Sequence, residues 1–261
     1  MRAKPQGAEG AGGFPATRWS AIVAARSEDP AERGRALDAL LAAYWRPVYK
    51  YIRIGKGKPR EDAEDLTQEF FLRLVGKNLL DAFQPERGRL RTYLRACVDH
   101  LVANLERGER RKKRGGDAVH LSLDFPSAEG ELRHVNLSQP PEMEAFFERE
   151  WARSVLQTGV RRLRAELSAS GKSIYFQVFA RYDLEDTEQA GPSERRSYHE
   201  LARELNLKPT DVTNYLAHAR REFRRIVLEF LRRTAGSDEE FRQEARTLLG
   251  IGHVLPPDRK K

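Results

Sequence analysis

The sequence has little cysteine and no long apolar run, and each absence excludes a class of protein. The single cysteine, Cys97, excludes an intrachain disulfide framework and any metal or redox site built on a Cys-x-x-Cys motif. No run of about 18 apolar residues occurs, so neither a transmembrane helix nor a membrane partner is expected. Residues 1–13 are rich in glycine and alanine without a compact apolar stretch, which predicts no secretory signal and a cytoplasmic protein.

The composition is basic and rich in arginine. The 261 residues include 47 Lys and Arg against 39 Asp and Glu, which gives a formal net charge of +8 and a pI near 9.7. Of the 47 cations, 36 are arginine, whose planar guanidinium suits phosphates and guanine edges better than an ammonium group does. This balance favours a nucleic-acid partner.

Nearly every periodic stretch of the sequence is typical of a helix. The stretches with helical spacing of apolar residues are 30–54, 59–75, 90–106, 142–167 and 197–233. No stretch alternates with the period of a strand, so the predicted fold class is all-α. Pro47 falls inside the first pattern and is expected to kink or restart the helix. Prolines and glycines accumulate between residues 116 and 141, which predicts a linker that is partly ordered at most.

The pattern that says most about function lies between residues 197 and 225. Ser197 and Glu200 have the spacing of a capping box, which predicts a helix start at Ser197. The chain is expected to turn at Asn206, because asparagine tolerates the left-handed conformation. Pro209 suits the first position of the next helix. The arrangement indicates a helix-turn-helix, whose second helix enters the major groove of DNA. A helical hairpin with a solvated basic face is the alternative.

The outward positions of that second helix carry side chains that can read or hold DNA. Asparagine can pair with adenine, threonine and alanine can contact a thymine methyl group, and arginines further along suit phosphates. These positions hold Thr210, Asp211, Thr213, Asn214, Ala217, His218, Arg220, Arg221, Arg224 and Arg225.

An acidic stripe is predicted on the helix of residues 59–75. Asp62, Asp65 and Glu69 are three and four residues apart and therefore share one face. A solvated face and a docking face for a protein partner both agree with this pattern. A metal site would need further carboxylates or histidines from other segments, and the sequence offers no such motif. No metal and no cofactor is therefore expected, and the chain is not expected to be an enzyme.

Residues 84–115 form a basic segment. They hold ten cations and four acids, a local balance of +6, and Phe83 and Tyr93 flank the start of the segment. Cations beside an aromatic side chain suit a groove that follows a nucleic-acid backbone and stacks an unpaired base. A solvated basic helix with aromatic core residues is the alternative.

Three of these stretches resemble the sigma-70 family of transcription initiation factors, in its extracytoplasmic-function (ECF) group. Residues 62–74 (DAEDLTQEFFLRL) resemble the polymerase-binding helix of region 2. Residues 90–94 (LRTYL) resemble the start of the promoter-melting helix, and residues 197–225 resemble the region 4 helix-turn-helix. Residues 14–20 and 44–49 are similar to an ECF-like branch with a C-terminal extension.

The resemblance implies a non-enzymatic subunit that recruits core RNA polymerase to promoter DNA, melts the −10 element and reads the −35 duplex. The implied polymerase contacts are Asp62, Asp65, Leu66, Gln68, Glu69 and Phe70. The melted −10 strand would be held by Arg87, Arg89, Arg91, Tyr93 and Arg95. The −35 duplex would contact Thr210, Thr213, Asn214, Ala217, His218, Arg220, Arg221 and Arg224. The free protein is expected to be a monomer, and an anti-sigma factor is a further candidate partner.

The same resemblance divides the chain into five segments. They are a disordered tail (1–13), a region 2-like domain (14–115), a linker (116–141), a region 4-like domain (142–235) and a C-terminal extension (236–261). A capping pattern at Ser237 and Glu240 predicts a helix at the start of the extension. The extension and the loop of residues 183–196 are candidate sites of regulation.

Three other interpretations stay open on the sequence. A helix-turn-helix regulator that binds operator duplex without polymerase would be a dimer on a palindromic site. A metal-dependent nuclease built on the acidic stripe would cleave nucleic acid. An interaction protein that binds polymerase or an inhibitor without reading DNA would tolerate substitution of Thr213 and Asn214.

Overall fold

The computed structural model describes residues 21–76, 79–106, 121–133, 142–185 and 197–250. Within these ranges all regular structure is helical, which confirms the all-α prediction. The helices are α1 (Ala21–Ala25), α2 (Pro30–Lys50), α3 (Arg60–Gly76), α4 (Leu90–Glu106), α5 (Phe125–Leu132), α6 (Met143–Ala169), α7 (Ser173–Phe179), α8 (Tyr198–Glu204), α9 (Pro209–Thr234) and α10 (Asp238–Leu249). No helix in this part of the chain is long and apolar enough to cross a membrane.

Helix α2 begins and continues for identifiable reasons. The Asp29 side chain accepts a hydrogen bond from the Ala31 amide, and Pro30 occupies the first helical position, where a missing N–H costs nothing. Pro47, which was expected to kink or restart the helix, does not end it. The helix continues to Lys50 and passes directly into a π-helical turn at Tyr51–Gly55.

Among the described residues, the buried apolar side chains form two clusters, and two helices contribute to both. The first cluster joins α2, α3 and α4 to Phe147 and Trp151 of α6 and to Phe230 of α9. The second joins the far end of α6, around Leu163, to α7, α8 and the first half of α9, around Leu216. The two cores therefore meet along α6 and α9, so the helix-turn-helix half packs directly on the first half. The predicted boundaries at residues 116–141 and 235 stay a prediction.

The segment predicted to be a linker contains a packed helix. Phe125, Ala128 and Leu132 of α5 are buried in the first core. Carboxylates of α5 also pair with cations of α2 and the π-helical turn, including Glu131 with Lys50 at 2.5 Å. In the described part of the segment, these three buried side chains lie on one face of a single short helix.

Candidate protein and nucleic-acid interfaces

Helix α3 exposes the carboxylates of the acidic stripe and buries the apolar residues on its opposite side. Asp62, Asp65 and Glu69 are exposed, and Glu69 pairs with Arg73 one turn further along at 2.7 Å. The apolar side of α3, formed by Ala63, Leu66, Phe70 and Leu74, is buried in the first core. The stripe can therefore present negative charge to a partner while its apolar side anchors the helix.

Two of the predicted polymerase contacts face inward and a third is committed to the protein backbone. Leu66 and Phe70 are core residues, and Phe70 packs edge-on against Phe71. The Gln68 amide donates to the Leu121 carbonyl at 2.8 Å and its oxygen accepts the Leu121 N–H at 3.0 Å. Gln68 therefore fixes the chain entering α5, and the polymerase-binding role of all six residues stays a prediction.

The carboxylates of α3 do not assemble a metal site with other described residues. Across the described ranges, no group of three or more His, Cys, Asp or Glu side chains is placed to hold a metal ion.

The cations at the start of α4 are engaged by acids from the C-terminal half. Arg91 is buried, pairs with Glu148 at 3.1 Å and with Glu244, and lies over the Trp151 ring. Arg89 lies 3.8 Å from Glu148 and 3.9 Å from Glu244. The predicted −10 contacts at these two positions are therefore neutralised in this conformation.

The remaining predicted −10 residues differ in their engagement. Arg95 pairs with Glu144 at 3.0 Å, while Arg87 is exposed on the 3-10 turn before α4. The Tyr93 hydroxyl donates to the Leu79 carbonyl at 2.6 Å, and its ring lies 5.4 Å from that of Phe83. Burial raises the pKa of Tyr93 well above its ordinary value. Cations of the basic segment beyond Glu106, at residues 107–114, lie outside the described residues.

Helix α10 also places the Glu240 carboxylate at the amino end of α4. Ser237 caps α10 by accepting the Glu240 N–H, as predicted. The Glu240 carboxylate does not complete the local capping box; it accepts the Leu90 N–H at 3.0 and 3.2 Å and the Gly236 N–H at 2.8 Å. Burial raises the pKa of Glu240 and of Glu244 above the ordinary value.

The two helices of the predicted helix-turn-helix, and the turn between them, form where the sequence predicts them. Ser197 and Glu200 make both hydrogen bonds of a capping box, Asn206 has a φ of 53°, and Pro209 begins α9. Asparagine at the turn is explained because most other side chains are strained at a positive φ. Ala202 of α8 and Val212 of α9 are both buried in the second core.

The outward face of α9 is accessible along its first turns. The exposed predicted contacts are Thr210, Thr213, Asn214, Ala217, Arg220, Arg221 and Arg224. Arg220 makes a bidentate pair with Asp183 at 2.7 and 2.8 Å and lies over the Tyr182 ring. Asp183 therefore fixes the direction of the Arg220 guanidinium, and the remaining contacts form a polar surface of the type that reads a major groove.

His218 and its aromatic neighbours border this surface. His218 is half-buried, and its ring lies 5.1 Å from that of Tyr175, which stacks on Tyr215 at 4.1 Å. Burial, followed by the nearby Lys172 charge, lowers the pKa of His218 below 6.5. The shift favours the neutral imidazole, whose Nδ1 lies 3.1 Å from the Arg221 guanidinium.

Sequence reasoning found the cations of α4 but missed the acids that cover them. Glu144 and Glu148 belong to a helix that was predicted without a role for its polar face. Glu240 was assigned only to a local cap, and Glu244 was not singled out. No periodicity signals these contacts, because an acid on a helix face has the same pattern whether it meets water or an arginine.

Comparison with known proteins identifies the part of the chain that contains α3 and α4. Residues 40–112 match the family model described as Sigma-70 region 2. No curated protein and no solved structure matches the chain. The match includes the acidic stripe and the basic start of α4, and it ends before the helix-turn-helix. The chain therefore contains a region 2 domain of the sigma-70 type, which supports a role in transcription initiation.

Proposed function

We propose that the protein is a sigma factor of the ECF-like group that directs core RNA polymerase to promoters through −10 melting and −35 recognition. The observation that carries the proposal is the exposed acidic face of α3, which lies inside the matched residues 40–112. Recognition and melting need binding and positioning only, so the function requires no covalent catalysis.

Polymerase docking is assigned to α3. Asp62, Asp65 and Glu69 present three carboxylates over about two helical turns, which suits a cationic surface on the polymerase. Leu66 and Phe70 support this face from beneath, since both are buried. Their part in docking is then to hold the helix in place, and the charged residues make the contact.

Recognition of the −35 duplex is assigned to α9. Asn214 can pair with adenine, and Thr213 and Ala217 can contact thymine methyl groups, since all three side chains are exposed on one side of the helix. Arg221 and Arg224 lie further along and suit phosphates, whose contacts position the helix without reading sequence. Binding should therefore weaken with salt, with a log–log slope of about −0.9 for each phosphate engaged.

Capture of the melted −10 strand is assigned to the basic start of α4. Arg87 is exposed and accessible, and Arg89, Arg91 and Arg95 lie on the same segment. Trapping unstacked bases here would offset the cost of opening the duplex, which is a few kcal/mol per base step.

The experiment that tests the proposal is co-elution with bacterial core RNA polymerase. The wild-type protein is compared with two variants. Asp65→Arg reverses one exposed charge of the stripe, and Asp38→Arg makes the same change at an exposed position of α2. Wild type and Asp38→Arg should co-elute with the enzyme and Asp65→Arg should not. If wild type does not bind, the sigma assignment fails and a duplex-binding regulator takes its place. If Asp65→Arg binds as well as wild type, α3 is not the docking helix.

A further inference from the structure

Arg220 of α9 is held by two side chains that lie outside the helix-turn-helix. Helix α7 is followed directly by a π-helical turn at Ala180–Glu185, which carries Tyr182 and Asp183. The Asp183 carboxylate accepts a hydrogen bond from Arg220 Nε at 2.8 Å and another from Arg220 Nη2 at 2.7 Å. The guanidinium lies over the Tyr182 ring, 5.4 Å from its centre. These contacts fix both the position and the plane of the guanidinium.

The π-helical turn beneath Arg220 is anchored in the second core. Tyr182 and Leu184 pack against that core, and the Tyr182 ring lies 5.0 Å from the ring of Tyr198 in α8. A side chain that is already ordered loses little further conformational entropy when it binds a ligand. Arg220 is therefore preorganised, unlike an arginine that extends freely into solvent.

The pair with Asp183 uses only one edge of the Arg220 guanidinium. An arginine side chain carries five N–H donors, and a carboxylate bound through Nε and Nη2 takes one donor from each of these atoms. Nη1 makes no hydrogen bond to another described residue, and 46% of the Arg220 side chain stays exposed. The outer edge, formed by Nη1 and Nη2, therefore offers two parallel donors to a ligand.

The charge of Asp183 separates the two kinds of acceptor that DNA could offer to this edge. Both the oxygens of a phosphate and the N7 and O6 atoms of guanine fit two parallel donors. The Asp183 carboxylate offsets the positive charge of Arg220 and repels a phosphate, which is itself negative. A guanine edge presents its acceptors without a net charge and is not repelled. The pair therefore favours a base over the backbone.

Arg220 also lies beside the residues of α9 that are proposed to read DNA. It follows Thr213 by seven residues, about two helical turns, so both lie on one side of the helix. Tyr182 and Thr213 line the same surface cavity of about 490 Å³, together with Tyr198, His199, Pro209 and Thr210. The outer edge of Arg220 is therefore next to the proposed base contacts.

We infer that Asp183 is a positioning residue that makes Arg220 a reader of guanine in the −35 duplex. The inference rests on the proposed function, because that function places α9 in the major groove. Arg221 and Arg224 pair with no carboxylate among the described residues, so they keep the full positive charge that suits a phosphate. Asp183 thus adds sequence selectivity from outside the helix-turn-helix.

The experiment selects duplexes from a pool with a randomised central segment, using the full-length protein alone and together with core RNA polymerase. The test variants are Asp183→Asn, which keeps the side-chain size and removes its charge, and Arg220→Ala. The matched controls are Asp38→Asn at an exposed position of α2 and Arg224→Ala, one turn further along α9. The selected duplexes are sequenced, and their affinities are measured at several salt concentrations.

The wild-type protein should select a motif that contains one guanine for which both test variants lose the preference, by about tenfold or more, while the other positions are kept. Asp183→Asn should also bind unselected duplex more tightly, with a log–log salt slope steeper by about 0.9, because the freed guanidinium can take up a phosphate. Arg224→Ala should weaken binding to all sequences and reduce that slope by about 0.9. Asp38→Asn should change neither the motif nor the slope.

A guanine preference that survives in Asp183→Asn would overturn the inference, as would a lost position that is not guanine. A second measurement uses the wild-type protein and so does not depend on how the variants fold. Replacing the selected guanine with its deaza analogue, which lacks N7, should weaken binding by about tenfold, and unchanged binding would also overturn the inference.

The same selection distinguishes failure of the positioning role from failure of the proposed function. If wild type selects no motif under either condition, −35 recognition itself fails, and the inference fails with it. If wild type selects a motif that does not depend on Asp183, recognition stands and only the positioning role is rejected.

Discussion

Gly159 lies where α6 meets α9, at the boundary between the two cores, with no room for a side chain. A Cβ atom at this position would lie 2.8 Å from Val227 Cγ2 and 3.0 Å from Phe223 Cε2. Gly34 lies inside α2, and a Cβ atom there would have nothing within 4 Å. Alanine substitution at both positions therefore separates the effect of helix propensity from the effect of packing.

The two variants are expected to change stability in different directions. Alanine is favoured over glycine in a helix interior by about 1 kcal/mol, and this gain is available at both positions. Gly34→Ala should raise the free energy of unfolding by about 0.5–1 kcal/mol. At Gly159 the added methyl group must displace Val227 or the Phe223 ring, and overpacking of this kind costs about 1–3 kcal/mol. Gly159→Ala should therefore lower the free energy of unfolding by about 0–2 kcal/mol.

Urea denaturation followed by far-ultraviolet circular dichroism and tryptophan fluorescence measures both changes. Circular dichroism reports all the helices, whereas Trp45 and Trp151 report the first core, so coincident transitions show that one free energy describes the unfolding. The difference between the two variants should be about 1–3 kcal/mol. If Gly159→Ala stabilises the protein as much as Gly34→Ala does, α6 and α9 do not approach this closely and the cores do not share them.

Two further predictions concern carboxylates that hold helices together. The Arg53 guanidinium holds the pKa of Glu129 below 4.5, so stabilisation by this pair is present above pH 4.5 and is lost as the pH falls through the lowered pKa. As the pH is lowered below 4.5, the urea midpoint of wild type should fall more steeply with pH than that of Glu129→Gln. Equal slopes would show that the Arg53–Glu129 pair does not stabilise the protein. Glu240→Ala should lower the free energy of unfolding by about 1–3 kcal/mol for each of the two amides it leaves without an acceptor. The same denaturation of exposed Glu239→Ala is the control, and an equal loss would show that Glu240 does not cap α4.

The helix-turn-helix could be predicted because its signals are local and each has a mechanism. Ser197 supplies a cap, Asn206 accepts a positive φ, and Pro209 starts a helix without needing its missing N–H. The buried side of α3 could be predicted in the same way, because a helix of period 3.6 that buries one stripe must place Leu66 and Phe70 on it. These features depend on residues within a few positions of one another.

The acids that pair with the start of α4 could not be predicted because their contacts join distant parts of the chain. Glu148 lies 57 residues from Arg91, and Glu244 lies 153 residues from it. Charge alone does not identify a partner at such separations, and an arginine-rich segment is equally consistent with DNA and with an internal acid. Glu240 shows the limit clearly: its spacing from Ser237 predicts a local cap, but the folded chain brings Leu90 closer and the carboxylate turns to it.

The two proposed DNA-binding surfaces differ in how accessible their side chains are in the folded chain. Asn214 is exposed, so the proposed contact with duplex DNA needs no rearrangement. Arg91 is buried and pairs with Glu148 and Glu244, so a strand would reach it only by displacing these carboxylates. A strand-trapping surface left open would bind any single strand, because stacking and phosphate contacts carry little sequence information.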